Sequence, residues 1–326
     1  MIGNENIKRQ LTVAIDSARH RNMAPPHMLF SGHPGCGKTS MAKEVAATLK
    51  TDFISLTPES LKDNRTLLNL LDSLNFTGYD KLGNRIDTIS PTVVFIDEIH
   101  RLPMFGQEKL GIIMENFSLN TENVGKVYWL PYFTVVGATT LAGNLSRPFL
   151  NRFKLNFYFE TYPLHESIEI VIYHAKRLNI QITKKAAADI AIRSRGIPRI
   201  MVSFLERCRD MMLALNSQII TSGLSGLTFE SLEIDRQGFN KIELKILKVL
   251  YDTDKPVSLE NLAMVTGESK NTLQNEIECY LIKAGYLIRS GKGRLITPKG
   301  RNYLEAEGYA GGDIGRRTIA VDYTRL

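Results

Sequence analysis

Two short stretches carry residue types able to hold and cleave a phosphate ester. The segment Gly32-His33-Pro34-Gly35-Cys36-Gly37-Lys38-Thr39 fits the pattern G-x-x-x-x-G-K-[ST] without a mismatch, and Ser40 follows it. Glycines let a backbone wrap around phosphate oxygens, and the N–H groups that open the following helix add positive dipole. At this spacing Lys38 reaches the β- and γ-phosphates of a nucleoside triphosphate, and the Thr39 hydroxyl ligates a magnesium ion. The second stretch, Val93-Val94-Phe95-Ile96-Asp97-Glu98, is an apolar run that ends in two acids. Asp97 is placed to hold the ion through water, and Glu98 to polarise the attacking water. Either stretch alone could be a turn or an acidic loop. In this order they predict a site that binds ATP with Mg2+ and cleaves it.

The elements around these residues follow from apolar periodicity. Met28, Leu29 and Phe30 form a strand before the loop, and Met41, Ala42, Val45, Ala46 and Leu49 one face of a helix after it. Upstream, residues 6–19 predict a first helix, broken by 20–26. Residues 52–56 read as a second buried strand, Leu67, Leu68, Leu70, Leu71 and Leu74 as a helix, and 75–91 as a solvated loop or small hairpin. After the two acids come a helix through Leu110, Ile113 and Met114, and a hairpin over 117–133 that carries Tyr128 and Trp129. The run 133–140 is a further buried strand. Its tip, Thr139 or Thr140, could sense a γ-phosphate from beside the Asp97 strand, or simply end the strand. Alternating strands and helices with the phosphate loop first imply an α/β fold, a parallel sheet flanked by helices.

From Pro163 the pattern turns fully helical over 168–178, 184–193 and 199–215. Arg199 at a helix start opposes the dipole preference, which points to a bound anion or to a surface arginine. The polar stretch 221–226 and a turn at Gly238 mark a boundary. Beyond it lie helices over 241–251, 258–265 and 269–284, with Ser258 and Ser269 as N-caps and Gly267 and Gly285 as stops. A hairpin with a cationic tip, Ser290-Gly291-Lys292-Gly293-Arg294, completes a winged helix. Arg289, Lys292, Arg294, Lys299 and Arg301 fall here with no acid among them, which favours phosphate contacts on duplex DNA over protein docking. The tail 310–326 is glycine-bearing and expected to be flexible.

Composition agrees with these assignments. With 41 Lys and Arg against 34 Asp and Glu the net charge is +7, and the pI near 9.2 favours an anionic partner. Cys36, Cys208 and Cys279 are scattered and odd in number, which suggests a reducing, cytoplasmic setting without a disulfide or zinc framework. No export signal or membrane-length apolar run is visible, and the length suggests two or three domains.

These motifs together resemble one family. Gly32 to Thr39, Phe95-Ile96-Asp97-Glu98-Ile99-His100-Arg101-Leu102, Leu130-Pro131, Phe133-Thr134, Gly137-Ala138-Thr139-Thr140, Arg193-Ser194-Arg195-Gly196 with Pro198-Arg199-Ile200, and Tyr280-Leu281-Ile282 with Gly293-Arg294 are similar to the bacterial RuvB family. That family consists of hexameric AAA+ motors that drive branch migration of Holliday junctions. The resemblance runs from Ile2-Gly3 to about Tyr303. It implies an AAA+ large domain over 1–162, a helical lid over 163–236, a winged helix over 237–309 and a tail from 310. Gly35, Cys36, Gly37, Lys38, Thr39, Ser40 and Ile2 would bind nucleotide. Thr139 or Thr140 would be sensor 1, Arg152 the arginine finger offered to a neighbour's ATP, Arg199 the sensor 2 arginine, and Tyr162 the aromatic near adenine. Lys270, Arg289, Lys292 and Arg294 would face DNA, as duplex or four-way junction, within a homo-oligomeric ring.

Three departures qualify the resemblance. The family carries a further amino-terminal segment that helps hold adenine, which implies altered nucleotide affinity here. The 117–133 hairpin, the family's docking point for RuvA, is shorter, which argues against dependence on RuvA and for a different partner or none. Leu150 and Asn151 stand where the family has Arg and Asp, and 75–91 reads as an insertion, so a diverged relative of the kind a phage carries is expected. An origin-binding initiator combines the same two modules and is the alternative. A clamp-loader-like remodeller would show Ser-Arg-Cys at 151–153 and no winged helix, and a plain nucleotide scaffold would need neither Glu98 nor Arg152.

Overall fold

A computed structural model describes residues 2–61, 92–121, 126–129 and 132–311, and contacts divide the chain into one unit up to Thr221 and another from Ser222. Strands β1 (Met28–Gly32), β2 (Phe53–Leu56), β3 (Thr92–Ile96), β4 (Ser118–Thr121), β5 (Lys126–Trp129), β6 (Phe133–Thr139) and β7 (Leu155–Phe159) belong to the first unit. Five of them form one sheet in the order β2-β3-β6-β1-β7, every neighbouring pair parallel. Strands covered on both faces read as continuous apolar runs, and β6 is buried at all seven positions. The expected buried strand at 52–56 is corrected: β2 lies at the sheet edge, so Phe53, Ile54 and Leu56 are only half-buried and Ser55 is exposed.

Side chains alternate across β1, which seeds two cores. Met28 and Phe30 pack with Ile7, Leu11 and Ile15 of the helix Glu5–His20 and with Met41 and Val45 of the helix Lys38–Leu49. Leu29 faces the other way, into Leu110, Ile113 and Met114 of the helix Met104–Asn116. Phe30 is fully buried, its ring 5.1 Å from Phe159 and 5.9 Å from Phe157. Truncation to alanine there would cost about 3–5 kcal/mol. This packing sets β1 and β3 one strand apart, with the carboxyl ends that carry the phosphate loop and the two acids at the same edge. β4 and β5 form the expected antiparallel hairpin.

The helices Leu164–Arg177, Lys184–Arg193 and Pro198–Ala214 follow. The region is not fully helical as expected: β8 (Gln181–Ile182) and β9 (Ile219–Ile220) pair in parallel.

In the second unit the stretch read as a polar boundary is a helix, Ser222–Ser231. Its hydroxyls turn inward to their own backbone, Ser225 to the Ser222 carbonyl and Thr228 to the Leu224 carbonyl, while Leu224 and Phe229 are buried. Burial overrides the breaker signal. The helix Lys241–Thr253 opens with a capping box of Asn240 and Glu243. The helix Leu259–Thr266 is capped by Ser258 and stopped by Gly267. The third helix runs from Lys270 through a π turn, Leu273–Ile277, to Lys283. β10 (Leu287–Ser290) and β11 (Gly293–Ile296) make the wing. An unexpected helix, Pro298–Ala306, follows, with Thr297 capping and proline in the first turn. The readings for 67–74, 75–91 and most of the tail, 312–326, lie outside the described residues.

Candidate functional site

The phosphate loop closes on its own lysine. Gly37 adopts a left-handed conformation, φ 93°, and starts the helix without a side-chain cap, so the first N–H groups point into the loop. Lys38, almost fully buried, donates its ammonium to the carbonyls of Gly32 at 2.9 Å and His33 at 3.0 Å. Burial pulls its pKa below the ordinary lysine range. A cavity of about 300 Å³ opens over the loop, lined by Gly35, Gly37, Lys38, Thr39, Ser40, Asp97, Glu98 and Arg199. Gly35 explains how Arg199 comes so close: a Cβ on it would lie 2.8 Å from that of Arg199, whose amide N–H donates to the Gly35 carbonyl at 3.4 Å. Eight of the residues singled out by sequence thus share one cavity, although 160 positions separate Thr39 from Arg199.

Cys36 lies behind this surface, fully buried. The buried Tyr162 hydroxyl accepts from Asn4 Nδ2 at 2.6 Å and donates to the Cys36 carbonyl at 3.5 Å. Burial pushes its phenol up to about 12. Tyr162 and the half-buried Ile2 are not among the lining residues.

The two acids differ in use. Asp97 Oδ1 accepts from the Glu98 N–H at 3.0 Å. Glu98 stands at φ 47°, left-handed for a non-glycine residue. Its Oε2 accepts from the Thr140 hydroxyl at 3.2 Å and lies 3.2 Å from His100 Nδ1. Thr139 is buried, its hydroxyl 2.9 Å from the same His100 nitrogen and accepting from the Leu141 N–H at 3.0 Å. Neither threonine lines the cavity; Thr140 touches it through Glu98. His100 and His174 were missed. His100 follows the acids so closely that its position was a usable signal, whereas His174, on the helix Leu164–Arg177, carries none. His174 lines the cavity, and burial, then Arg177, lowers its pKa.

Arg152 lies elsewhere, against a second cavity of about 360 Å³ that also takes in His27, Glu115 and Asn151. Its Nη2 is 2.7 Å from Glu115 Oε2. Beside it the buried His27 is neutral and fixed: Nδ1 accepts from the Val135 N–H and Nε2 donates to the Met114 carbonyl, each at 2.9 Å, while burial lowers its pKa.

In the second unit the wing cations, which have no acid among them in sequence, meet acids from elsewhere in the fold. Arg289 and Arg294 both pair with Glu278 of the third helix, Lys270 pairs with Glu260, and Arg301 with Asp254. Lys292 is exposed at the tip.

A cavity that joins phosphate loop, acid pair and Arg199, in a chain that also builds a winged helix, agrees with three family models. The Holliday junction DNA helicase RuvB P-loop domain matches residues 1–159, the RuvB AAA lid domain 162–235 and the RuvB C-terminal winged helix domain 236–305. The chain belongs to the RuvB family. It is 36% identical over 315 residues to the Holliday junction branch migration complex subunit RuvB 1 of Synechococcus sp. (strain JA-3-3Ab), covering 94% of this chain and 79% of that protein. RuvB of Bifidobacterium adolescentis is 35% identical over 313 residues, covering 93% and 82%. A solved structure titled Thermotoga maritima RuvB Holliday junction branch migration motor superposes with a TM-score of 0.75 at 34% identity, covering 93% of this chain and 95% of that one. RuvB resemblance, AAA+ fold and winged helix, all expected from the motifs, are thereby borne out.

Proposed function

We propose that this chain is an ATP-driven motor that translocates duplex DNA and promotes branch migration of Holliday junctions. The observation that carries this reading is the single cavity holding Lys38, Thr39, Asp97, Glu98 and Arg199 in a RuvB-family chain that ends in a winged helix. Lys38 and the loop N–H groups bind the β- and γ-phosphates, Arg199 contacts the γ-phosphate, and Glu98 activates water, with Thr140 and His100 orienting its carboxylate. Tyr162, braced on the Cys36 carbonyl, backs the adenine side.

Mg2+ fits the donors present. The Thr39 hydroxyl and the Asp97 carboxylate, both lining the cavity, are hard oxygen ligands, and Mg2+ takes few protein ligands beside phosphate and water. Held there, the ion would supply positive charge that offsets the charge of the triphosphate.

Arg152, away from the cavity of its own chain, acts on a neighbour's ATP in a ring, a hexamer on the family's pattern. The proposed division is a large domain over 1–162, a lid over 163–236 and a winged helix over 237–309; family-model spans of 1–159, 162–235 and 236–305 support it. Lys270, Arg289, Lys292 and Arg294 belong to the DNA-facing surface. The relatives' names make them subunits of a branch migration complex, which supports a partner protein for this chain; the short 117–133 hairpin argues against dependence on a RuvA-type one, and the junction assay below decides. Action in the cytoplasm is part of the reading, and among the described residues no helix is long and apolar enough to cross a membrane.

A synthetic four-way junction tests the proposal. ATP-dependent conversion of the junction into duplex products, with and without a RuvA-type protein, together with hydrolysis stimulated by junction DNA, is the expected result. Hydrolysis indifferent to DNA and no junction movement under either condition would overturn it.

A further inference from the structure

Arg152 is held in place from within its own subunit. Its amide N–H donates to the Phe149 carbonyl at 3.1 Å, and the buried rings of Phe149 and Phe153 on either side meet edge-on with centroids 5.3 Å apart, so the backbone here is fixed. The side chain lies against the helix Met104–Asn116. A Cβ placed on Gly111 would be 3.8 Å from Arg152 Cγ and 3.9 Å from Nε, so the stem rests on bare backbone one turn before Glu115. There Nη2 meets Glu115 Oε2 at 2.7 Å, at the carbonyl end of the helix, where the dipole also favours a cation. Glu115 has a fixed seat as well. The Met114 carbonyl before it accepts from His27 Nε2 at 2.9 Å, and His27 Nδ1 is bonded to the Val135 N–H of β6. Two residues on, Phe117 ends the helix in a left-handed conformation, φ 48°, its ring 4.9 Å from that of Tyr132 and 5.5 Å from that of Phe133. Of the residues lining the cavity at this point Arg21, Arg152 and Lys154 are cations, and Glu115 is the one acid. The two side chains of the pair are 33% and 51% exposed, so Glu115 competes poorly with a triphosphate for the charge. It engages one guanidinium nitrogen of three, which leaves Nε and Nη1 for phosphate oxygens.

We infer that Glu115 is a positioning residue for hydrolysis in the neighbouring subunit: it keeps Arg152 laid along the helix in one rotamer, ready for the neighbour's phosphate, and touches neither nucleotide nor water itself. The inference rests on the reading of Arg152 as a finger that acts in trans. An arginine free to sample its rotamers has to be ordered when it meets the phosphate, and that loss corresponds to about tenfold in rate. Rings assembled from two kinds of full-length subunit test the assignment. Arg152→Ala keeps the phosphate cavity and lacks the finger, whereas Glu98→Gln keeps the finger and lacks the base. Their mixture is expected to hydrolyse ATP faster than either alone. Adding Glu115→Ala to the subunit that gives the finger is expected to lower the rate of the mixture about tenfold, with ATP affinity unchanged in equilibrium titration. Glu115→Gln in the same place keeps an acceptor oxygen and is expected to lose less, about threefold. Adding Glu115→Ala to the subunit that gives the cavity is expected to leave the rate of the mixture as it was.

The dependence on which subunit carries the change is what a merely structural glutamate would not produce. An equal loss on both sides, or a loss of ATP affinity along with the rate, would overturn the inference. An unchanged rate with Glu115→Ala on the finger-giving side would overturn it too, and a faster one would mean that Glu115 restrains Arg152 instead of presenting it. If the first mixture, with Glu115 intact throughout, hydrolyses ATP no faster than its components, the trans-finger reading itself fails, a result separate from the others because it precedes any change at Glu115.

Discussion

The cations of the phosphate cavity and those of the wing look alike in sequence and are used in opposite ways. Lys38 is anchored by two carbonyl oxygens, neutral dipoles that leave its charge undischarged, and Arg199 lines the same cavity with no acid bonded to its guanidinium among the described residues. Arg289 and Arg294 share one buried carboxylate, which offsets only one of their two charges. Arg152 stands between the two cases. It is paired with Glu115, but both side chains are partly exposed, and such pairs are worth little, so the arginine is easily surrendered to a stronger anion. A cation is thus freest for an anion where the fold gives it no carboxylate, and next freest where its carboxylate is exposed to water.

The strongest test of this contrast removes the intermediate case. Arg152→Ala is expected to lower turnover by about 10³–10⁵ while ATP affinity holds, because in the proposed ring the arginine serves only the neighbour's reacting phosphate. Mixing it with Glu98→Gln subunits and recovering hydrolysis would sharpen the contrast. Full activity of Arg152→Ala on its own would place this residue with the structural arginines. Next in size, Glu98→Gln should reduce hydrolysis by roughly 10²–10⁴ and still bind ATP, as measured by single-turnover kinetics alongside equilibrium titration.

Removing an undischarged cation affects binding first. Lys38→Ala should weaken ATP by roughly 10–100-fold, the worth of a charged hydrogen bond of about 1.5–3 kcal/mol. Calorimetric titration that found affinity unaltered would mean that the loop N–H groups alone hold the phosphates.

The smallest effect concerns His174. Its folded pKa lies below 6.5, so it is neutral at pH 7 and gains a proton only as pH falls through that lowered value. The protonated ring adds a cation to the cavity that Arg199 also lines, so ATP affinity should rise by a few-fold as pH falls through that lowered value. Comparison with His174→Gln subtracts the titration of the nucleotide itself. Parallel pH curves for the two proteins would remove His174 from the cavity's charge balance.

Much of the fold was legible because its signals are local. The phosphate loop, the apolar run into Asp97-Glu98, the caps Ser258 and Ser269 and the stops Gly267 and Gly285 each act within a few residues, and the structure puts strands and helices where they indicate. Misreadings came where tertiary burial outweighs local preference. The helix Ser222–Ser231 forms through a Gly- and Ser-bearing stretch because Leu224 and Phe229 are buried, and β2 stays half-exposed because, among the described residues, it has a neighbour on one side only.

By itself the sequence determined the order of the elements, the phosphate chemistry and the winged helix, since periodicity and motif spacing act along the chain. Tertiary structure decided which charges remain available. Glu278 lies 11 residues from Arg289 and 16 from Arg294, beyond the reach of any helical or hairpin pattern, and only folding closes that distance to hydrogen-bond length. The same holds for Arg199, brought against Gly35 by the packing of a later helix, and for Glu115 beneath Arg152. Electrostatic interaction depends on separation in space and on burial, neither of which is written in the spacing of residues along a chain.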